Sequence, residues 1–462
     1  MRHHTFNSIR TQQHFIHSTQ GESDCLSIFN LLTSDILFEE VEAQLPEHRE
    51  RLFPPTETLA MFITQTMSSD RSCQNAVNQA AIHRLINGLP DISTHTGGYC
   101  QARQRLPIEM VTSLTRYLGQ QLDQQLPQEW RWQGRRVRLV DGTTVTLPDT
   151  ASNQAVFPQQ TSQKTGLGFP ICRLVGITCL SSGALLNAAI GPYKGKGTDE
   201  QTLLRSIEGT LDSGDVLLGD AFYPTYFFID RMQTQGVEIL MEQQGARKRV
   251  TDFRKGKSLG TRDHLIRLNK PKIKPDWMSD EVYQKAPAYL EVREFKAGGK
   301  IMVTTMKCPK TYNKTQLKNL YKQRWSVELD IRNIKETMGM NILSCKTPEM
   351  AIKEVWVYFL AYNLIRLLMA QAAYMADILP REISFKHSLQ LWLIWSQKAD
   401  TSDDRILLVV CELIAQQRVG NRKGRIEPRA VKRRPKPYPL LTVQRSQARE
   451  QVRKYGHPKK LK

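Results

Sequence analysis

The pattern of apolar and polar positions changes texture several times along this chain. Up to about residue 128, segments such as LTSDILFEEVEAQL, SDRSCQNAVNQAAIHRLING and TGGYCQARQRLPIEMVTSLTRYLGQQL predict short helices joined by Gly and Pro turns. From about Trp130 a period-two alternation takes over. GRRVRLVDGTTVTLPD predicts a strand with Val137, Leu139 and Asp141 on one side, and further strands are expected around Ile171 to Leu180 and Leu185 to Gly191. A helix near Asp199, the strand DVLLGDAFY, a helix over Tyr223 to Gln235 and the strand VEILMEQ complete an α/β layer with a mixed sheet. Residues about 244 to 312, rich in Lys, Arg, Gly and Pro, carry the strand candidates DHLIRL, AYLEVREF and KIMVTTM and read as a β insertion.

After the insertion comes YKQRWSVELDIRNIKETMG, from Tyr321 to Gly339. On a helical wheel of about 100° per residue, Leu320, Val327, Ile331, Ile334 and Met338 gather at roughly 220° to 280°. Tyr321, Arg324, Glu328 and Lys335 share the neighbouring stripe, with Trp325 and Arg332 on its edge. Such a helix buries one face and presents a lone carboxylate among cations on the next. Two readings are open: a site where metal and phosphates meet, or a solvated face of intrahelical ion pairs. The following run, VWVYFLAYNLIRLLMAQAA from Val355, is interrupted by Asn363 and Arg366 and predicts a buried core helix rather than a membrane span.

Charge narrows the partner. The 462 residues carry a formal net charge of +20, which favours a polyanion, nucleic acid first. Sixteen Lys/Arg and two Glu lie between Arg418 and Lys462, so most of the excess sits in a tail suited to lie along phosphates or, more blandly, to keep the protein soluble. Eight cysteines without a Cys-x-x-Cys pair point to reduced thiols in the cytoplasm. His14 and His17 have no nearby cysteine to complete a zinc site. No apolar segment follows the first charged residues, so a secretory signal is not expected.

Two aspartates are expected where strands end, Asp141 after VRLV and Asp220 after VLLG. Ligands bind at that edge of an α/β sheet, and a carboxylate closing an apolar strand needs a cation or hydrogen bonds to offset its desolvation. A turn-capping role is the competing reading for Asp141. Asp149, Asp199 and Asp215 fit that blander role better, being in polar turns or at helix starts. Together Asp141, Asp220 and Glu328 have the oxygen donors for two divalent cations, Mg²⁺ or Mn²⁺ in its place. GPYKGKGT from Gly191 misses the spacing and the Ser/Thr of a phosphate loop, so no nucleotide cofactor is expected.

These residues resemble a known family. A strand ending in DGTT, a second ending in GDAFY, and a helix with the spacing Y-(2)-R-(3)-E-(6)-K are similar to the bacterial insertion-sequence transposases of the insertion sequence four type, in the DDE superfamily. Similarity extends over roughly residues 70 to 442, through QKTGLGFPICRLVGITCLSSGALLNAAIGPYKGKGTDEQTLL, RKGKSLGTRDHLIRLNKP, LAYNLIRLLM and RVGNRKGRIEPRAVKRRPKPYPLL.

The resemblance implies a ribonuclease-H-like catalytic fold interrupted by the β insertion, and with the residue pattern it gives three regions: an N-terminal helical domain over 1–128, suited to DNA binding though an interaction module would look the same, the catalytic domain over 129–380, and a C-terminal helical region with a basic tail over 381–462. It implies Asp141, Asp220 and Glu328 as metal ligands, Tyr321, Arg324 and Lys335 as phosphate contacts near the element's end, and Trp277 of the insertion as a residue that stacks on a flipped base. The expected activity is cut-and-paste transposition of double-stranded DNA by a synaptic homodimer at the bacterial nucleoid, with a hairpin intermediate in some relatives. A nuclease of the same fold without strand transfer, and an inactive DNA-binding regulator, are the alternatives. One departure is Ala221, where several relatives carry Arg; either that phosphate contact is missing, or Arg231 or basic residues of the insertion supply it.

Overall fold

The computed structural model describes residues 53–86, 88, 91–398, 404–420 and 441–457. The first 52 residues, with LTSDILFEEVEAQL, His14 and His17, and the 421–440 stretch of the basic tail lie outside the described residues.

One nine-stranded mixed sheet organises the chain, in the order β3-β2-β1-β4-β5-β9-β8-β7-β6. The strands are β1 Val137–Thr146, β2 Ile171–Cys179, β3 Leu185–Pro192, β4 Val216–Gly219, β5 Glu238–Glu242, β6 Lys257–Gly260, β7 Asp263–Asn269, β8 Tyr289–Ala297 and β9 Lys300–Thr304. The first three form an antiparallel meander, and β4 and β5 run parallel to β1. This is the mixed α/β sheet with a β insertion that the sequence predicts. The insertion is no separate layer: β9 pairs antiparallel with β5 from Leu240–Thr304 to Glu242–Met302, so its four strands prolong the same sheet.

The end of β1 differs from expectation, and the difference makes the site. Asp141 does not close its strand; β1 runs on to Thr146 because Thr143, Thr144 and Val145 favour extended backbone and pair with β2. Its parallel pairing with β4 spans only Val137–Leu139 against Val216–Leu218. Beyond Gly219, β1 therefore shows an open edge, with Asp141 at its start and Asp220 opposite.

The 28-residue helix Pro348–Met375 is the centre of the helical layer. In its most apolar 18-residue window, 94% of the residues are buried inside the protein, against helix Ile108–Gln125, β3 and the helices Pro55–Met67, Phe385–Lys398 and Asp404–Ala415. Its polar interruptions have partners. Asn363 accepts from the Leu185 N–H at 2.9 Å and donates to the Leu185 and Thr115 carbonyls at 2.8 and 3.0 Å, standing in for a backbone neighbour at the start of β3. Helix Ile108–Gln125, inside the region expected to be N-terminal, shares this core through Met110, Val111, Leu114 and Leu118.

Arg103, in the helical region expected to bind DNA, is 8% exposed. Its guanidinium sits over the rings of Phe62 and Tyr99 at 4.7 and 5.1 Å, so it serves packing within this helical cluster.

Candidate active site

Glu328 stands on helix Ser326–Arg332, which leans against β1. The segment is not a uniform α-helix: helix Lys314–Lys322 leads through a 3₁₀ turn at Gln323–Trp325 into the Glu328 helix, and a π turn follows at Asn333–Thr337. Such departures from α geometry cluster at functional sites. Val327 and Ile334 are buried beneath it, as the apolar stripe predicts.

Arg324 lies between two of the three carboxylates. It donates to Glu328 Oε1 at 2.6 Å, and its other terminal nitrogen is 3.7 Å from Asp141 Oδ2. The intrahelical pair of the blander reading is thus formed, but the same cation also reaches across to β1. Asp141 accepts the Gly142 N–H at 2.8 Å. Burial foremost, then the charges of Asp220 and Glu200, push its carboxyl up to about 6 against the opposing Gly142 bond and Arg324. Asp220 accepts the Phe222 N–H at 2.8 Å, turning the chain after β4.

The remaining stripe residues frame this group. Lys335 donates to Thr143 Oγ1 at 3.1 Å, two residues beyond Asp141 on β1, and burial lowers its pKa. Tyr321 packs on the core beneath the stripe, and burial pushes its hydroxyl up to about 12. Trp277, 45% exposed, lies apart from the stripe on the insertion. The guanidiniums of Arg205 and Arg231 lie over its ring at 4.2 and 5.1 Å. Arg231 is also bound to both Glu208 oxygens at 3.1 Å, so this expected substitute for the arginine missing at Ala221 is already engaged.

Glu200 escaped sequence reasoning. It opens helix Glu200–Ile207, which Asp199 caps by accepting the Thr202 N–H at 3.1 Å, the bland role expected of it. A side-chain Cβ built on Gly142 would stand 2.3 Å from the Glu200 carboxyl carbon, so Gly142 is the gap that admits this fourth carboxylate. Tyr223 donates to Glu200 at 3.2 Å, and burial above all raises the pKa of both groups. An acidic first helical turn is its only signal, and that is common at any helix start.

Among the described residues, no three His, Cys, Asp or Glu side chains converge closely enough to hold a metal ion. The donor chemistry nevertheless suits a hard divalent cation: the acidic groups are carboxylates without thiol or imidazole, and a guanidinium stands as a cation between Asp141 and Glu328.

The profile of the family described as Transposase DDE domain matches residues 132–364, half of the chain and the whole of this carboxylate-bearing region. The chain belongs to that family. This DDE transposase is 29% identical over 356 residues, 73% of its length and 77% of the other's, to the Escherichia coli (strain K12) protein described as transposase InsG for insertion sequence element IS4. The insertion sequence four resemblance read from the motifs stands with it. The structure is also similar to that of a piggyBac transposase synaptic complex with hairpin DNA, at 10% identity, 86% coverage of each chain and a TM-score of 0.43. Transposases of the DDE family use divalent metal ions.

Proposed function

We propose that this transposase binds the terminal inverted repeats of its own insertion element, joins two ends in a homodimer, cleaves them and transfers them to target DNA. Asp141, Asp220 and Glu328 would hold two Mg²⁺ ions, with Mn²⁺ able to replace them. When bound, the ions supply an activated oxygen nucleophile and neutralise charge on the leaving 3′ oxygen. The chain's own residues do the rest. Arg324, Tyr321 and Lys335 hold phosphates along the stripe, and the Lys335–Thr143 contact keeps that stripe against β1. Burial and the neighbouring carboxylates disfavour the charged form of Asp141, so a bound cation would relieve that cost. After water cleaves the first strand, the freed 3′-hydroxyl would attack a phosphodiester of the opposite strand, displacing the flanking DNA and closing a hairpin; water would reopen the hairpin, and the 3′-hydroxyl would then attack a target phosphodiester and displace a target 3′-hydroxyl. A route in which water cuts both strands without a hairpin is the alternative.

The observation that carries this reading is the position of Arg324, shared between Asp141 and Glu328 from segments almost two hundred residues apart. It supports the reading by bringing a guanidinium suited to phosphate and two carboxylates suited to metal together on the open edge of β1.

The test uses a plasmid carrying the element's ends. Purified enzyme in Mg²⁺ should release the element, and Asp141→Ala, Asp220→Ala or Glu328→Ala should each abolish cleavage while leaving end binding largely intact. A variant that cleaves at the wild-type rate removes its residue from the assignment. Supplying pre-cut ends with a target plasmid separates transposition from simple nuclease action, because only a transposase joins them.

A further inference from the structure

Two residues beyond Glu328, on the same helix, Asp330 faces inward and is 0% exposed. It accepts from Arg366 at 2.6 Å and from both terminal nitrogens of Arg381 at 2.6 and 2.9 Å. Neither arginine ends there. Arg381 also donates to the Leu180 and Cys179 carbonyls at 2.7 and 3.0 Å, where β2 finishes. Arg366, on the long core helix, donates to the Tyr362 hydroxyl at 2.8 Å, and Tyr362 donates to the Gly183 carbonyl in the β2–β3 turn, also at 2.8 Å. A continuous set of charge-assisted bonds therefore runs from the Glu328 helix to β2, whose Gly176 is the cross-strand partner of Asp141.

Apolar packing does not do this job alone. Between the Glu328 helix and the sheet lies a small cavity of about 30 Å³, lined by Asp141, Thr143, Gly176, Val327, Asp330 and Ile331 among others. The helix is flanked by 3₁₀ and π turns rather than continuous α-helix. With its backbone interrupted on both sides, the helix takes its position from packing and from the directional bonds it makes to neighbouring elements. Besides the Lys335–Thr143 bond and the Arg324–Asp141 pair, which reach β1, the Asp330 ion pairs are the directional contacts that tie the helix to the core helix and the end of β2.

We propose that Asp330 is a positioning residue that fixes the reach of Glu328 toward Asp141, acting through Arg381 and Arg366. This rests on the reading of Glu328 as a metal-holding carboxylate. Asp330 touches neither DNA nor metal in this scheme. Its role resembles that of the residues that orient ligands from behind in metal sites, where loss of one outer partner lowers metal affinity or rate on the order of 10- to 100-fold.

The test compares full-length wild type with Asp330→Asn, Arg381→Gln and Arg381→Lys. Each is assayed for melting temperature, end-DNA affinity, Mn²⁺ affinity by electron paramagnetic resonance, and cleavage rate at saturating DNA. Arg381, with 19% of its side chain exposed, provides a milder break than the buried aspartate. Arg381→Gln should keep end-DNA affinity within about threefold and lower Mn²⁺ affinity and the saturated rate by at least about tenfold. Arg381→Lys should recover part of both, since an ammonium keeps the charge and one bond. Asp330→Asn should lose more, on the order of 10²-fold in rate. Wild-type Mn²⁺ affinity and rate in folded Arg381→Gln would overturn the proposal. So would unfolding of both Arg381→Gln and Asp330→Asn, which would make the bonds a folding element only. Glu328→Gln is run alongside: if it cleaves, the site reading itself fails, whereas an inactive Glu328→Gln beside an unaffected Arg381→Gln defeats only the role given to Asp330.

Discussion

Arg324 and Glu328 are joined by a 2.6 Å ion pair one helical turn apart, and the same guanidinium stands 3.7 Å from Asp141. Without DNA, the carboxylates are thus partly neutralised by the residue assigned to bind phosphate. Arg324→Ala should weaken end binding and reduce the slope of log affinity against log salt by about one. Lys335→Ala should do the same. Fluorescence anisotropy over a salt series measures both, and an unchanged slope would remove the residue from the phosphate contacts.

The crowding at Asp141 gives a pH signature in the metal-free protein. The folded state holds the Asp141 proton up to about pH 6, against an ordinary value of 3.8. Between those values the folded chain binds more protons than the unfolded one, so this group's contribution to stability falls as pH rises, and the cost is complete above pH 6. Asp141→Asn removes that cost while its amide oxygen can still accept from Gly142. Melting in a chelator should show the variant stabilised at pH 8, by about 3 kcal/mol at most, with the gain fading as pH is lowered toward 4. A gain that persists at pH 4, or none at pH 8, would contradict the electrostatics of the site.

Gly142 offers a test of Glu200. A methyl group there meets the Glu200 carboxylate at 2.3–2.6 Å, the mobile end of a side chain rather than backbone. Gly142→Ala should therefore fold with a stability loss of about 1 kcal/mol or less, push Glu200 off Tyr223, and lower the cleavage rate. Glu200→Gln should reproduce the rate loss without the steric change. Normal cleavage by both variants would place Glu200 outside the chemistry.

Gly119 should behave in the opposite way. Its added Cβ would stand 2.3 Å from the Leu185 backbone carbonyl and 3.3 Å from the Asn363 amide, deep in the main core. Alanine gains up to about 1 kcal/mol in helix propensity, but overpacking against backbone costs about 1–3 kcal/mol. The clash wins, and denaturant unfolding of Gly119→Ala should show a net loss with little change in metal affinity of the folded enzyme.

Much of this molecule is legible in its sequence because the signals are local. Apolar and β-branched runs bounded by turn residues mark β1, β2, β3, β7, β8 and β9, and the continuous apolar run marks the core helix. The spacing of Tyr321, Arg324, Glu328 and Lys335 places one carboxylate among cations. Asn363 and Arg366 show in sequence as breaks in an apolar run, and that pattern does not reveal that one substitutes for backbone at β3 while the other grips Asp330.

The sequence by itself determined the types and order of the elements, because side-chain size, branching and polarity act on backbone within a few residues. It also marked Asp141, Asp220 and Glu328 as carboxylates in need of a reason. Only the tertiary structure decided that β1 outruns β4, that Glu200 enters over Gly142, that Arg103 is buried, and that Asp330 ties its helix to the end of β2. Each of these depends on which distant surfaces meet when the sheet and the core helix close on each other. Residues in contact across 50 to 200 positions leave no periodicity for a local pattern to carry.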